Sequence, residues 1–473
     1  VLSIVESQGV RLNAVNLSTA WHRLGTQCRG SAPLIASVRS DDRLRSLEAH
    51  TLAALQRGAF APQNVSNTLW ACGALGHSPE AALTRELLAA LTRQLPAFSP
   101  LALSNAAWAA AVLRFEGAEE LMRLLWHQAG TRLDDFAPQG VANLLWATAT
   151  LRVYPGYANA DRVARMVSGH ARLFKAQELS ATAWAFAELR HYPGRKALTA
   201  LDESFAQRME EFSPQATSNV LWACAVFTHR PHRALQVLQD AFASPPPPPP
   251  PPQGATQGVA RRALLPEHFC TQDVARLAWS LAVLYAFDLP LFASVWRAAA
   301  ALPPEAFAPE GLRSIYQTHL LARASSSATP EDALLPPPLR RACEISLRQR
   351  ALEPIVSELH VRVCSVLTSM GVIHHVEQLT EDGLFSIDVA IFGANGVKIA
   401  LEVDGPFHFS VNARSLLGRT VARNRLLRAR GWHVAAVPFF EWNALRNSYE
   451  QKLYLSDKLR GAEQARGTRG QVQ

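Results

Sequence analysis

The chain has 473 residues, 48% hydrophobic and 18% charged, enough for a large core and at least two folding units. Lys and Arg outnumber Asp and Glu by 47 to 39, and the basic side is almost wholly arginine, which fits either a polyanionic partner or a coding bias toward arginine. No apolar run approaches the eighteen or so residues of a membrane span, and Cys28, Cys72, Cys224, Cys270, Cys343 and Cys364 show no zinc spacing, which argues against both a membrane protein and a zinc module.

The chain begins at Val1 rather than Met, so it reads as a fragment in which no transit peptide is visible. Residues 1–50 form a mixed segment in which Leu17-Ser-Thr-Ala-Trp21 resembles a decayed, out-of-phase repeat helix, expected to act as an N-terminal cap. From there a long periodic region runs over 51–324. Trp70, Trp108, Trp146, Trp184 and Trp222 follow one another at a spacing of 38, and Trp279 comes after a gap of 57, as if 19 residues were inserted. Phe60, Phe98, Phe136, Phe174, Phe212 and Phe269 lie ten residues before each, and a last copy starts at Phe307 with Gln317 in the Trp slot.

A fixed period of this length signals stacked supersecondary units. Each unit opens with Phe-x-Pro or a close variant, and proline suits a first helical turn because its missing N–H has no partner there. A Leu/Ala/Val-rich helix, a turn such as Tyr154-Pro-Gly156 and a second amphipathic helix complete it. Neither helix of such a hairpin buries its apolar face alone, so the expected fold is an α-solenoid. The equivalent Cys72 and Cys224 read as core thiols in a reducing compartment. The insertion, at about 244–262, holds the eight prolines 245–252, a stiff polyproline II stretch read as a surface loop, with a docking site for a proline-binding module as the alternative.

Counting each Phe as zero, positions 3 and 7 share a helix face with the Trp at 10. They hold Gln63 and Asn67, Leu101 and Asn105, Gln139 and Asn143, Gln177 and Ala181, Gln215 and Asn219, Gln272 and Arg276, and Glu310 and Ser314. Amides carry both donor and acceptor, which suits base edges, and one polar pair per helical repeat is a way of reading single-stranded RNA. An Asn ladder satisfying neighbouring helices is the alternative. The tryptophans read as core spacers, with stacking platforms as the other option.

The period and the pattern Phe-x-Pro-Gln-x-x-Ser-Asn-x-Leu-Trp-Ala resemble octotricopeptide repeats of green-algal organelle proteins. That resemblance implies binding of organellar RNA and a part in its stability, processing, splicing or translation, in the chloroplast ahead of the mitochondrion. Single-stranded RNA and other organellar RNA factors are the implied partners, with no cofactor required. Ala181, Arg276 and Ser314 depart from the usual Asn.

A linker over 325–339 leads into a different composition over 340–460, and a tail fills 461–473. A long helix over 340–370, strands over 373–378, 385–392 and 397–403, a basic helix over 412–430, a strand over 432–438 and a helix over 441–459 give the order α-β-β-β-α-β-α. The Asn395-Gly396 pair marks a hairpin between the second and third strands. Glu402-Val-Asp-Gly-Pro-Phe-His-Phe409, Gly418-Arg-Thr420, Asn424, Arg430-Gly-Trp432, Pro438-Phe-Phe-Glu-Trp442 and Lys452-Leu-Tyr-Leu455 resemble the RAP domain of FAST-kinase-like RNA factors, a family related in fold to PD-(D/E)xK nucleases.

In that nuclease class an Asp on one strand and Glu-x-Lys on the next hold a divalent ion that activates water. The resemblance therefore implies Asp388 and Glu402 as ligands of Mg²⁺, with Asp404 in the lysine slot and His408 as the substitute for the missing water-positioning cation. A relic site that binds RNA without cutting is the alternative, and so is a protein-binding scaffold for the chain as a whole. Arg419, Arg423, Arg425, Arg428 and Arg430 occur with no acidic residue among them, as expected of a phosphate-contacting helix or of a merely solvated face.

Overall fold

The computed structural model describes residues 1–8, 11–243, 269–325, 335–353, 356–393 and 396–464. The proline run, most of the linker, Asn395 of the expected hairpin turn and most of the tail lie outside these residues. The chain divides into two compact units, Val1–Ser204 and Phe205–Gln473. The described residues are mostly helical, with one small sheet near the C-terminal end.

In the first unit the opening helices of successive repeats, Pro62–Leu75, Pro100–Leu113, Pro138–Thr150 and Ala176–Glu188, each pack on the next. The regular spacing of Phe has a clear physical basis. Phe60, Phe98, Phe136 and Phe174 are all buried, and from Phe98 onward each is preceded by a single 3₁₀ turn (Leu95–Ala97, Leu133–Asp135, Ala171–Leu173) whose first carbonyl accepts the Phe N–H. Six residues after each Trp, the chain turns left-handed to end the helix: Gly76 (φ 55°), Arg114 (φ 47°), Arg152 (φ 56°) and Arg190 (φ 54°). Glycine occupies only the first of these slots.

The N-terminal segment supplies a further helix of the same kind. Ala14–Cys28 packs on Pro62–Leu75. A Cβ on Gly25 would meet the Trp70 ring at 3.1 Å, just as one on Gly73 would meet the Trp108 ring at 2.8 Å. Gly25 and Gly73 are thus equivalent, so His22, with its ring 5.0 Å from that of Trp70, fills the tryptophan slot. Trp21, the residue that suggested the decayed repeat, is instead buried and donates to Thr51 Oγ1 at 3.0 Å.

In the second unit Pro214–Val226 packs on Thr271–Val283, which packs on Pro309–Arg323, which packs on Pro337–Ala351. The helix expected over 340–370 is two helices, Pro337–Ala351 and Glu358–Ser369. Pro354 falls between them in sequence, and a proline's ring and missing N–H oppose helix continuation. The helix expected over 412–430 begins only at Gly418, and that over 441–459 resolves into Phe439–Trp442 and Ser448–Gln464.

The sheet has four strands in the order β1 (His375–Leu379), β2 (Ser386–Phe392), β3 (Lys398–Glu402) and β4 (Trp432–Ala436). The first two pairings are antiparallel and β3–β4 is parallel, with the helix Gly418–Ala429 between those strands in sequence. Strand alternation sorts the side chains by face. Val389, Ile391, Ile399 and Leu401 join Leu359, Val363, Leu367, Trp442 and Leu455 in one core. Asp388, Ala390, Ala400 and Glu402 face the other way, toward the helix Gly418–Ala429.

Candidate nucleic-acid interface and carboxylate cleft

Along the first helices of the first unit most side chains are buried, and the stripe at positions 3, 7 and 10 is not. Gln63, Leu101, Gln139 and Gln177 are exposed, while Asn67, Asn105, Asn143 and Ala181, and Trp70, Trp108, Trp146 and Trp184, are half-buried. These tryptophans are therefore partly open rather than fully interior. Each of Trp70 and Trp108 lays its ring over a glycine of the preceding helix and keeps part of its surface open. Their ring centres are 6.5 Å apart.

In the second unit Gln215, Gln272 and Glu310 are exposed in the same slot. Here the stripe is also bonded between repeats. Arg276 donates to Asn219 Oδ1 at 2.8 Å and covers the Trp222 ring, and Trp279 Nε1 donates to Gln317 Oε1 at 3.2 Å. Position 3 is thus open to solvent, whereas Asn219 at position 7 already has an intramolecular donor.

The five arginines of the basic helix separate into two sets. Arg419 and Arg428 are exposed. The other three are held within the protein, so the helix is not the uniformly open basic face that its sequence suggests. Arg425 donates to the Val283 carbonyl at 2.7 Å and stacks 3.7 Å from the centre of Tyr285. Arg430 donates to Asp382 Oδ2 at 2.7 Å and lies over Phe385. Arg423 Nε donates to Glu402 Oε2 at 2.7 Å, and its Nη2 reaches the Ser386 carbonyl.

Asp388 and Glu402 stand opposite each other one step beyond the Val389–Leu401 pair, as expected from the hairpin. The Asp388 Oδ2 accepts the Val403 N–H at 2.7 Å. Burial, and then the charge of Glu402, push its carboxyl up to about 7 against the pull of Arg423. Asp404 is fully buried, with His408 Nδ1 2.8 Å from its Oδ1 and Thr420 Oγ1 3.2 Å from the same ring nitrogen. Burial works to lower the His408 pKa, but the hydrogen bond and charge of Asp404 prevail and raise it.

This arrangement does not suit a divalent ion. The positive charge beside Glu402 is already supplied by Arg423, whose own pKa is raised by that carboxylate despite burial. Among the described residues no three His, Cys, Asp or Glu side chains are grouped to hold a metal. Asp388, Glu402 and His408, together with Arg419 and Arg423, line a cavity of about 250 Å³. Gln317, Arg350 and Glu377 complete much of its wall. The role of Arg423 was hidden in sequence because 21 residues separate it from Glu402, and nothing in an arginine-rich helix marks which arginine turns inward.

Residues 401–458 match the RAP domain family. The chain carries a RAP domain. Residues 30–123 match the family described as Tbc2 translation factor, N-terminal domain. Among curated proteins, the chain is 28% identical over 194 residues to a RAP domain-containing protein, chloroplastic, of Oryza sativa, covering 40% of this chain and 29% of that protein. It is 35% identical over 85 residues to FAST kinase domain-containing protein 3, mitochondrial, of Bos taurus, covering 17% of this chain and 12% of the relative. With human FAST kinase domain-containing protein 4 the identity is 38% over 55 residues, 12% of this chain and 9% of that protein. The chain thus spans less than a third of the length of each of these relatives. No helix among the described residues is long and apolar enough to cross a membrane.

Proposed function

We propose that the protein binds single-stranded RNA in an organelle, its helical repeats forming an α-solenoid that selects the sequence and its RAP domain gripping the strand. The observation that carries this reading is the stripe at positions 3, 7 and 10, the face of the opening helices that burial leaves most open. It presents an amide at position 3 in five of seven copies and a partly open Trp at position 10 in five, the sixth, Trp279, being buried. Amides at regular intervals beside aromatic surface supply hydrogen bonds to base edges and faces to stack on. Arg419 and Arg428 supply phosphate contacts that hold the strand without reading it.

The relatives named chloroplastic and mitochondrial support an organellar setting, and the match to a translation factor's N-terminal domain supports a role in RNA expression. Metal-dependent cleavage is the weaker reading, because Arg423 holds Glu402. The test is binding of a random single-stranded RNA library followed by sequencing of the retained fraction. An enriched motif, lost when Gln63, Gln139 and Gln215 are changed to Ala, supports the reading. Binding without enrichment removes the selective role of the stripe.

A further inference from the structure

The cleft between the sheet, the helix Gly418–Ala429 and the helices Pro309–Arg323 and Pro337–Ala351 contains a polar atom that none of the described residues satisfies. Glu402 is 2% exposed, and only its Oε2 is engaged, by Arg423. Its Oε1 is buried without a hydrogen-bond partner among the described residues, and the side chain lines the cavity. A buried carboxylate oxygen left unpaired is costly, so a donor from a ligand would be bound with advantage.

Three further features limit what that ligand is. With about 250 Å³ the cavity lies just below the range of drug-sized sites, which suits one small ring system. Arg419 is exposed and contributes to the wall, placing a cation of a kind that suits phosphate in the same cavity as the carboxylate. Gln317, the last residue of the repeat stripe, lines the same cavity and is joined to Trp279 of the preceding copy.

We propose that this cleft holds a single nucleotide of the bound RNA, its base donating an N–H to Glu402 Oε1 and its phosphate resting on Arg419. The inference rests on the RNA-binding reading and assigns the RAP domain a base contact in addition to backbone contacts. Carboxylates accept from base amino and imino groups, and the neighbouring guanidinium groups offset the charge that would otherwise repel phosphate. A divalent ion would compete for the same oxygen, which makes the two occupants distinguishable.

The full chain is titrated by calorimetry with CMP, UMP, AMP, GMP and ribose 5-phosphate, with Mn²⁺ as competitor, and in parallel with a long single-stranded RNA. The expected result is that at least one nucleotide binds about tenfold or more tightly than ribose 5-phosphate, the scale of a hydrogen bond to a charged group. Glu402→Gln should narrow that ratio, Arg419→Ala should weaken all these probes together, and Mn²⁺ should not displace the nucleotide. Because Glu402→Gln also alters a buried ion pair, Ala351→Phe, which fills the cavity wall from a half-buried position, serves as a second variant and should abolish nucleotide binding with the melting temperature retained. Equal binding of ribose 5-phosphate, or displacement by Mn²⁺, overturns the pocket. Long RNA bound normally under either result leaves the RNA-binding reading standing, whereas failure to bind long RNA removes that reading itself.

Discussion

Arg425 and Tyr285 join the RAP domain to the repeat helices of the same unit. The guanidinium lies 3.7 Å from the ring centre and donates to the Val283 carbonyl at 2.7 Å, at the C-terminal end of the helix Thr271–Val283. The negative end of a helix dipole attracts such a cation. Beside it, a Cβ on Gly418 would collide with the Ala225 carbonyl, at the end of the helix Pro214–Val226. Arg425→Ala should therefore cost about 2 kcal/mol, from a charged hydrogen bond and a cation–π interaction, seen as a lower urea midpoint. The salt dependence of RNA binding should stay unchanged, because the guanidinium is engaged by Val283 and Tyr285 within the protein.

The exposed pair should behave in the opposite way. Changing Arg419 and Arg428 to Ala is expected to leave the melting temperature near wild type. The slope of log affinity against log salt should become shallower by about one unit for each phosphate that is no longer neutralised. A variant pair that melts early with an unchanged slope would show that these arginines are structural as well.

The buried carboxylate makes stability depend on pH in a definite direction. The Asp388 carboxyl is pushed up to about 7, well above the unfolded value near 3.8. Between those limits the folded state keeps a proton that the unfolded state has lost, so this group's contribution to stability falls as pH rises from about 4 to 7 and is level above that. Asp388→Asn should flatten this part of the curve and gain relative to wild type at pH about 7.5. Urea midpoints measured from about pH 4.5 to about pH 8 decide the matter, and parallel curves for the two proteins would rule the effect out.

Arg152 closes a repeat helix at φ 56°, a conformation that strains any residue with a Cβ. Arg152→Gly should raise the stability by about 1 kcal/mol or slightly less, the strain relieved exceeding the entropy glycine adds to the unfolded chain. A drop in melting temperature would mean that the arginine side chain makes a compensating interaction across the stack.

The sequence carries much of this architecture, because period and alternation are local properties of the chain. The 38-residue spacing marks where each opening helix begins, and Asp388 and Glu402 can be paired from a tight hairpin alone. Three things were out of reach for the same reason. The inward turn of Arg423, the seat of Arg425 on Tyr285 and the entry of Gln317 into the cleft all depend on segments far apart in sequence meeting in space. The half-buried state of Trp70 and Trp108 is not legible in sequence, because it depends on Gly25 and Gly73 of the preceding helices, which seat the rings between repeats while part of their surface stays open. The place of His22 in the tryptophan slot is hidden in sequence because the first repeat-like helix is out of register with the others.

The most direct measurement is the affinity of the chain for its selected RNA, compared between wild type and a variant with Gln63, Gln139 and Gln215 replaced by Ala. All three residues are exposed, so folding should survive. The account predicts a loss of roughly 1–3 kcal/mol for each base interaction removed, with binding to unrelated RNA unaffected. Equal affinity of the two proteins for the selected RNA, both folded, would contradict it.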